Sequence, residues 1–265
     1  MSQYDSIGSS YSGFNDSVYR RMESHSCESA IKPHLKPGSH VADFACGNGY
    51  MTRKLLEWGC ASVVGIDLSP VMVQDAQRLL VDQVSTGRAQ FSAADATVLQ
   101  SVAPHGEMGY FDAVVGGWLV NYAPDSAALV AMFTNIALNL NDDGFFFGIM
   151  PHPTNDLEKR AAIYKEYPFT HAVPKNTYTS PLESGQGWNL QVQLPDNVHL
   201  DTFHLKKDVI EDCARLGGLK GRLEWKTEVL LGDDWKKLFN ADMTEQDWQL
   251  RSSSPHFGIL IVYKN

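Results

Sequence analysis

The stretch "VADFACGNGYMTRKLL", from Val41 to Leu56, joins an apolar run to an amphipathic run through a turn of small residues. The first run predicts a β-strand over 41–45, and the second predicts a helix over 50–58. Backbone N–H groups at such a turn and at the following helix start remain free to bind a ligand. Gly47 and Gly49 carry no Cβ, so a ligand can approach the backbone closely. The stretch therefore predicts an α/β fold with a binding site at its first turn.

Strand-like and helix-like segments continue to alternate as far as residue 150. Further strands are expected in "ASVVGID", "RAQFSAAD", "YFDAVVGGWLV" and "DGFFFGIM". A helix is expected over "LSPVMVQDAQRLLVDQV", capped by Ser69, with Met72, Ala76 and Leu79 on its buried side. Five strands separated by helices indicate βαβ units, and hence a doubly wound, mostly parallel sheet.

The pattern breaks after Pro151, where prolines punctuate the chain as far as Leu200. One helix is expected there, over 157–167. A helix and a strand follow in "KKDVIEDCARLGGLKGRLEWK", and the chain ends on the apolar strand "FGILIVYK". We predict a single domain over 1–265, divided into an N-terminal lid and helix (1–37), a binding core (38–150), an inserted substrate cap (151–200) and a C-terminal completion of the sheet (201–265).

Composition narrows the classes of function. The 265 residues are 43% hydrophobic and carry 22 basic against 31 acidic side chains, a formal net charge of −9. That charge disfavours nucleic acid as a partner. No stretch reaches the roughly 18 apolar residues of a membrane span, and the start lacks a signal-peptide pattern, so a cytoplasmic protein is expected. The four cysteines lack C-x-x-C spacing, which predicts reduced thiols and no metal site.

Two classes of cofactor fit the first turn. Asp67 ends the second strand, where dinucleotide-binding folds place the carboxylate that accepts from ribose hydroxyls, and Asp95 ends the third. A nicotinamide dinucleotide requires G-x-G-x-x-G, but "GNGYMT" places Thr52 at the third glycine. The other class, S-adenosyl-L-methionine (SAM), is bound by a D-x-G-x-G-x-G turn. "DFACGNG" matches that turn with Ala45 at the first glycine, a change that is tolerable if Ala45 keeps a negative φ.

The motifs "YDSIGSSY", "ADFACGNGYMTR", "GIDLSPVM", "WLVNYAP" and "LNDDGFFF" follow one another in this order. In these motifs the chain resembles the class I SAM-dependent small-molecule methyltransferases, in particular the group that includes the toxoflavin-biosynthesis methyltransferase. The resemblance covers most of the range from Tyr4 to Met150. It implies SAM as the cofactor, S-adenosyl-L-homocysteine as its product, and a seven-stranded Rossmann-like sheet.

The resemblance also implies a cofactor role for twelve residues. Asp43 would order the turn, Asp67 would hold the ribose, and Arg20 or its rival Arg21 would pair with the methionine carboxylate. Trp118 would lie near the sulfonium. The full set is Tyr4, Tyr11, Arg20, Asp43, Ala45, Gly47, Asp67, Leu68, Met72, Asp95, Ala96 and Trp118. Among the others, the two tyrosines would fold over the site, the leucine and methionine would line the adenine pocket, and Asp95 and Ala96 would contact the adenine.

The activated methyl group belongs to the cofactor, so the protein has mainly to position an acceptor and exclude water. If the acceptor must lose a proton, His152 is the expected base because it directly follows the fifth strand. Tyr122 and His204 are less favoured candidates.

Aromatic residues of the cap favour a small aromatic or heteroaromatic acceptor. These residues are Tyr164, Tyr167, Phe169, Tyr178 and Trp188. The alternative for them is a core of the cap itself. Two other functions stay open at this point: an NAD-dependent reductase, which Thr52 disfavours, and a non-catalytic partner subunit with the same fold, which the intact turn disfavours.

Overall fold

A computed structural model of the chain describes residues 3–7, 18–166, 174–194, 198–229, 237 and 244–265. The chain forms ten described strands in two sheets. In chain order they are β1 (His40–Phe44), β2 (Ser62–Asp67), β3 (Ala89–Ala93), β4 (Phe111–Gly117), β5 (Leu140–Pro151), β6 (Lys175–Pro181), β7 (Gly187–Gln193), β8 (His199–Leu205), β9 (Leu223–Thr227) and β10 (Phe257–Tyr263).

Nine helices accompany these strands within the described ranges. They are α1 (Tyr4–Ile7), α2 (Val18–Ile31), α3 (Tyr50–Glu57), α4 (Pro70–Leu79), α5 (Val81–Ser85), α6 (Ser126–Asn139), α7 (Leu157–Glu166), α8 (Lys207–Leu216) and α9 (Glu245–Ser253). A short 3-10 turn, Val120–Tyr122, follows β4. None of the described helices is long and apolar enough to cross a membrane.

The larger sheet has the order β3-β2-β1-β4-β5-β10-β9. Its first five strands are parallel, and β10 runs antiparallel to both β5 and β9. This arrangement confirms the predicted doubly wound, mostly parallel sheet of seven strands. Because the parallel strands share one direction, their carboxyl ends meet at one edge of the sheet, where such folds bind ligands.

Strand β5 shows why the sheet lies in the middle of the molecule. Phe145 and Phe147 pack into a core on one side of the sheet with residues of α2 and α3, while Phe146 packs on the other side with residues of α6 and α8. All three rings are almost fully buried. Alternate side chains of a strand point to opposite faces, so a run of consecutive apolar residues such as Phe145 to Phe147 requires helices on both sides of the sheet.

The expected long helix after Ser69 is interrupted. Ser69 caps α4 by accepting a hydrogen bond from the Met72 N–H at 3.3 Å, as predicted. The helix ends at Leu79, whose side chain is 61% exposed, so its predicted burial is wrong. Leu80, only 3% exposed, is the buried residue instead, because the chain turns there and places the Leu80 side chain against Gly49.

The smaller sheet, in the order β6-β7-β8, is antiparallel and forms the cap together with α7. Strand β8 pairs with β7 from His199 to Leu205 and therefore crosses the boundary expected at Leu200. The helix expected over 157–167 is present as Leu157–Glu166. All four cysteines are buried free thiols, as expected from their spacing.

Substitution of Gly49 tests whether the first turn depends on its contact with α4. Gly49 has φ +83°, and a Cβ there would lie 2.8 Å from Leu80 Cδ1. Gly87 has φ +72° and no atom within 4 Å of such a Cβ, which makes it a matched control. Gly87→Ala should lower the free energy of unfolding by about 1–2 kcal/mol through backbone strain alone. Gly49→Ala should lower it by roughly 1–3 kcal/mol more through overpacking.

Urea denaturation of both variants measures the two losses. Equal losses would show that the contact between Gly49 and Leu80 adds nothing to stability.

Candidate active site

A cavity of about 440 Å³ opens at the carboxyl ends of the parallel strands. Its volume lies in the range of roughly 300–1,000 Å³ that is usual for ligand and cofactor sites. The ranges 45–48, 67–68, 94–96 and 117–119, which lie at or just after the ends of β1, β2, β3 and β4, contribute to its wall. The sheet edge predicted to bind a ligand therefore carries a cavity of ligand size.

Eleven of the twelve residues expected to bind the cofactor line this cavity. They are Tyr4, Arg20, Asp43, Ala45, Gly47, Asp67, Leu68, Met72, Asp95, Ala96 and Trp118. The twelfth, Tyr11, lies outside the described residues. Arg21, the rival of Arg20, is exposed and is not part of the described wall. The structure thus brings the expected residues together, and their individual roles remain predictions.

Asp67 connects two turns of the cavity. Its Oδ2 accepts a hydrogen bond from the Gly47 N–H at 2.8 Å, and its Oδ1 accepts one from the Ser69 N–H at 2.8 Å. The side chain is largely buried, and this burial raises the pKa of the carboxyl group. Each carboxylate oxygen can accept a second hydrogen bond, so Asp67 can hold the turn and a ligand hydroxyl at the same time.

Residues 3–5 form what we call the N-terminal strap, which crosses the cavity. The Gln3 side chain makes two hydrogen bonds with the backbone of Asp201 in β8, at 3.2 and 3.1 Å. The Tyr4 hydroxyl bonds to the Tyr122 hydroxyl. At the far end of the strap, Asp5 Oδ1 accepts from the Ser69 hydroxyl at 2.6 Å. The strap therefore connects the cap to the helix start beside Asp67.

Ala45 has φ 61°, so the condition under which alanine was expected to replace the first glycine without strain, a negative φ, is not met. The following N–H, of Cys46, donates to the Ile66 carbonyl in β2 at 2.9 Å, and the left-handed conformation accompanies this continued pairing. Trp118, directly after β4, also has φ 61°, and its N–H donates to the Ile149 carbonyl in β5 at 2.9 Å. Non-glycine residues in this conformation store strain and concentrate at functional sites.

Asp43 is a fully buried carboxyl group on the cavity wall. Its Oδ2 accepts from the Thr52 hydroxyl at 2.6 Å, whereas Oδ1 is buried without a hydrogen-bond partner among the described residues. Burial raises the pKa of Asp43 to about 7. An unpaired carboxylate oxygen beside a cavity suits a cationic ligand group such as the ammonium of SAM. Thr52, at the third-glycine position of a dinucleotide turn, instead supports this carboxylate.

Glu23 is a buried wall residue that the sequence analysis missed. Its carboxylate pairs with the Arg20 guanidinium, and its Oε2 accepts from Trp118 Nε1 at 2.9 Å. Arg20 also lies over the Tyr50 ring, 4.4 Å from its centroid. A glutamate within α2 gives no sequence signal of this role, because only the tertiary fold places α2 against the end of β4.

The wall expected to face the adenine combines apolar and acidic residues. Met72 is almost fully buried, whereas Leu68 is 60% exposed. Asp95 Oδ1 accepts from the N–H and the hydroxyl of Thr97, at 2.8 and 2.7 Å. A bound ligand here would cover the apolar Leu68 side chain, which is favourable in proportion to the area removed from water.

A second cavity, of about 50 Å³, adjoins the first on the side of the cap. Tyr4, Glu23, Trp118 and Tyr122 line both cavities. The remaining wall of the smaller cavity comes from Tyr19, Asn121, Pro151, Pro174, Asn176, Leu190, Val192, Leu194, Leu200, Thr202 and His256. Two ligands bound in the two cavities would therefore contact the same four side chains.

The candidate bases lie in different places. Tyr122 lines both cavities, whereas His152 and His204 line neither. Burial and the nearby Arg160 lower the pKa of His152 to about 4. Burial likewise lowers the pKa of His204 well below its usual range, and His204 Nδ1 lies 2.8 Å from the Tyr178 hydroxyl.

His256, which the sequence analysis missed, lines the smaller cavity. It directly precedes β10, and β10 is antiparallel to β5, so the start of β10 lies beside the carboxyl end of β5. The signal that could have found it is a histidine immediately before the last apolar strand. To use this signal, the sequence analysis would have needed to know that the last strand runs antiparallel to β5.

The aromatic residues of the cap do not form the expected lining. Tyr164 packs against Tyr178 and Tyr178 against Trp188, with ring centroids 5.6 and 6.3 Å apart, and none of the three lines either cavity. Tyr164 instead belongs to the core on one side of the larger sheet, and Tyr178 packs against that core, so the considered alternative of a core confined to the cap is not met either. Tyr167 and Phe169 lie outside the described residues. The tyrosine and tryptophan rings of the smaller cavity belong instead to residues 4, 19, 118 and 122.

Part of the chain matches known proteins in sequence. Residues 41–144 match the family described as "Methyltransferase domain". Trans-aconitate 2-methyltransferase of Escherichia coli is 28% identical over 166 residues, which are 59% of this chain and 60% of that protein. This chain therefore spans about 60% of the length of that curated relative.

Solved structures share the fold. The S-adenosylmethionine dependent methyltransferase from Mesorhizobium loti has a TM-score of 0.56 at 17% identity, with 89% of this chain and 97% of that chain covered. Geranyl diphosphate C-methyltransferase from Streptomyces coelicolor A3(2), in complex with Mg²⁺, geranyl diphosphate and S-adenosyl-L-homocysteine, has a TM-score of 0.58 at 12% identity, with 93% and 80% covered. The fold is that of the SAM-dependent methyltransferases.

Asp43→Asn tests how much the buried carboxyl group, once ionised, lowers the free energy of unfolding. The Asp43 pKa is about 7 in the folded protein against an ordinary value of 3.8, so between these values the folded protein binds the proton more tightly than the unfolded chain. The contribution of Asp43 to the free energy of unfolding therefore falls as pH rises from about 4 to about 7. By pH 8 the variant should be more stable than the wild type by roughly 2–4 kcal/mol.

Denaturation at pH 4, 6 and 8 measures this difference, with the exposed Asp142→Asn as the control. If the difference between Asp43→Asn and the wild type did not change with pH, the raised pKa would be wrong.

Proposed function

We propose that this protein transfers the methyl group of SAM to a small, flat, uncharged acceptor, an aromatic or heteroaromatic metabolite. The observation that carries the proposal is the wall shared by the two cavities. An acceptor that reached from the shared wall into the smaller cavity would lie directly beside a cofactor in the larger one. Bringing the nucleophile next to the methyl group is the main requirement of this reaction, and correct placement alone can supply much of the rate.

The larger cavity has the donors and acceptors that SAM requires. Asp67 is available to the ribose hydroxyls, and Asp43 offers an unpaired carboxylate oxygen to a cationic group. Arg20 places a guanidinium in the described wall, where it can pair with the cofactor's carboxylate. Asp95 offers a hydrogen-bond acceptor to the cofactor's amino group. When bound, SAM supplies a methyl group on a positively charged sulfur, and the surrounding residues have to orient it and exclude water.

The smaller cavity favours an uncharged, flat acceptor. Tyr4, Tyr19, Trp118 and Tyr122 contribute rings to its wall, and rings pack well against flat molecules. Its described wall contains no lysine or arginine, and its single charged residue, Glu23, is an acid. A tricarboxylate acceptor such as trans-aconitate, named for the Escherichia coli relative, would lack a positive partner here.

Tyr122 is the residue we propose to contact the acceptor at the boundary of the two cavities. Its hydroxyl is bonded to that of Tyr4, so the pair can donate or accept a hydrogen bond at the acceptor's reacting atom. The resemblance to the toxoflavin group supports a role in secondary metabolism. A reductase is disfavoured because Thr52, with its hydroxyl bonded to Asp43, stands at the third-glycine position of a dinucleotide turn.

Asp67→Ala tests the cofactor assignment. Loss of hydrogen bonds from ligand hydroxyls to a carboxylate should weaken binding of S-adenosyl-L-homocysteine by about 1.5–3 kcal/mol, roughly 10- to 150-fold, as measured by calorimetry. Asp142→Ala, at an exposed aspartate, is the matched control. Because Asp67 also holds the Gly47 turn, thermal denaturation must show that the variant remains folded. Unchanged affinity in the folded variant would remove Asp67 from the cofactor site.

Mass spectrometry tests the reaction itself. The protein is incubated with SAM and a panel of uncharged phenols and nitrogen heteroaromatics, with trans-aconitate as the charged comparison. A mass increase of about 14 Da in an uncharged ring compound, with release of S-adenosyl-L-homocysteine, is the expected result. Methylation of trans-aconitate alone would keep the methyltransferase and overturn the proposed acceptor class, whereas failure to bind SAM would favour the non-catalytic alternative.

A further inference from the structure

The smaller cavity has a polar end that the proposed function does not use. Asn121 in the 3-10 turn and Asn176 in β6 are 5% and 6% exposed, and both line the cavity. The Oδ1 atom of each is buried without a hydrogen-bond partner among the described residues. Buried carbonyl oxygens are nearly always paired in native proteins, so two unpaired ones in one small cavity require an explanation.

His256 completes this polar end. It is 3% exposed, and its Nε2 lies 3.4 Å from Asn176 Nδ2 while its Nδ1 lies 3.3 Å from the Tyr164 hydroxyl. Burial and the nearby Arg251 and Arg160 lower the pKa of His256 well below its usual range. The ring is therefore neutral and keeps one nitrogen that accepts a hydrogen bond.

Two charged residues hold His256 in place through its backbone. Glu228 Oε1 accepts from the His256 N–H at 2.8 Å, and the Arg160 guanidinium donates to the His256 carbonyl at 3.2 Å. Arg160 also donates to the Tyr164 hydroxyl at 3.1 Å. Neither charged residue lines the cavity, so both act as positioning residues behind the imidazole.

The rest of the wall determines what can reach this polar end. Leu190, Val192, Leu194 and Leu200 cover one side with aliphatic groups. A carboxylate that entered would meet carbonyl oxygens and the acid Glu23, with no cation in the described wall. A neutral hydroxyl, amine or amide N–H would instead satisfy oxygens that are costly to leave unpaired.

We infer that Asn121, Asn176 and His256 form an acceptor-binding subsite that selects molecules with uncharged O–H or N–H donors on the edge away from the methylated atom. This inference rests on the proposed function, since it names the groups that hold the acceptor of that reaction. The subsite determines specificity and takes no part in the breaking of the sulfur–methyl bond. Its three residues lie in the 3-10 turn after β4, in the cap strand β6 and directly before β10, and none of them lines the cofactor cavity.

Three probe molecules separate the effect of hydrogen-bond donors on binding affinity from the effect of the ring itself. The full-length protein, saturated with S-adenosyl-L-homocysteine, is titrated with catechol, with 1,2-dimethoxybenzene and with benzoate. The second probe keeps the ring of catechol and lacks its donors, and the third carries a negative charge. Catechol should bind at least tenfold more tightly than either. Equal or tighter binding of 1,2-dimethoxybenzene or benzoate, or no binding of catechol, would overturn the inference.

Substitutions then assign the effect to residues. Asn176→Leu and Asn121→Leu should each weaken catechol binding by about five- to tenfold and leave the dimethoxy probe unaffected. Asn189→Leu, on β7 outside both cavities, is the matched control and should change neither. If both cavity variants bound catechol as the wild type does, the subsite would not exist as described.

His256→Phe keeps a ring and removes its nitrogens, so catechol affinity should fall, and His256→Gln should restore part of it. Circular dichroism of each variant shows whether it is folded, and the asparagine variants keep the test decisive if His256→Phe does not fold. His152 is the rival: a loss confined to His152→Phe, with His256→Phe unaffected, would overturn the role of His256. Failure of the protein to bind S-adenosyl-L-homocysteine would instead contradict the proposed function itself.

Discussion

The architecture of the site depends on the two hydrogen bonds that the Asp67 carboxylate accepts from neighbouring turns. Its two oxygens accept from the Gly47 N–H in the turn after β1 and from the Ser69 N–H at the start of α4. One side chain thus fixes the distance between two neighbouring turns of the sheet edge. The Ser69 hydroxyl extends this arrangement to Asp5 in the strap. Because Asp67 is largely buried, its charge is stabilised by these backbone donors more than by water.

The cofactor half of the site could be predicted from the sequence because parallel strands bring residues at their carboxyl ends to one edge. Asp67, Asp95 and Trp118 each lie at or just beyond the end of a strand, so a correct alternation of strands and helices was sufficient to group them. The predicted burial of Leu79 was wrong for a different reason. Helical periodicity continues along the sequence, whereas the residue at which α4 ends depends on packing beneath the first turn. The positive φ of Ala45 could not be read from the sequence. It depends on how the chain leaves β1 beside β2, and the local sequence does not show this path.

The acceptor subsite that we propose could not be predicted in the same way. Asn121, Asn176 and His256 come from a 3-10 turn, an antiparallel cap strand and the start of β10, segments that are far apart in sequence and meet only in the folded protein. Composition correctly indicated that the cap is rich in aromatic residues, but not which face they occupy. In the structure, Tyr178 turns toward Arg160 and packs against the core on one side of the larger sheet, and the rings of the cavity come from the N-terminal region and from the end of β4.

The N-terminal strap has a consequence for how the two ligands influence each other. Gln3 is bonded to the cap at Asp201, Tyr4 to Tyr122 between the cavities, and Asp5 to the capping serine of α4. These bonds belong to one short segment, and Tyr4 lines both cavities, so a displacement of the strap as a unit would change both cavities together. A ligand that favours the closed position of the strap in one cavity must raise the affinity of the other cavity, and thermodynamic reciprocity requires the same factor in both directions. With the two ligands of the proposed function, such a strap would make occupancy of each cavity an effector of the other through three side chains.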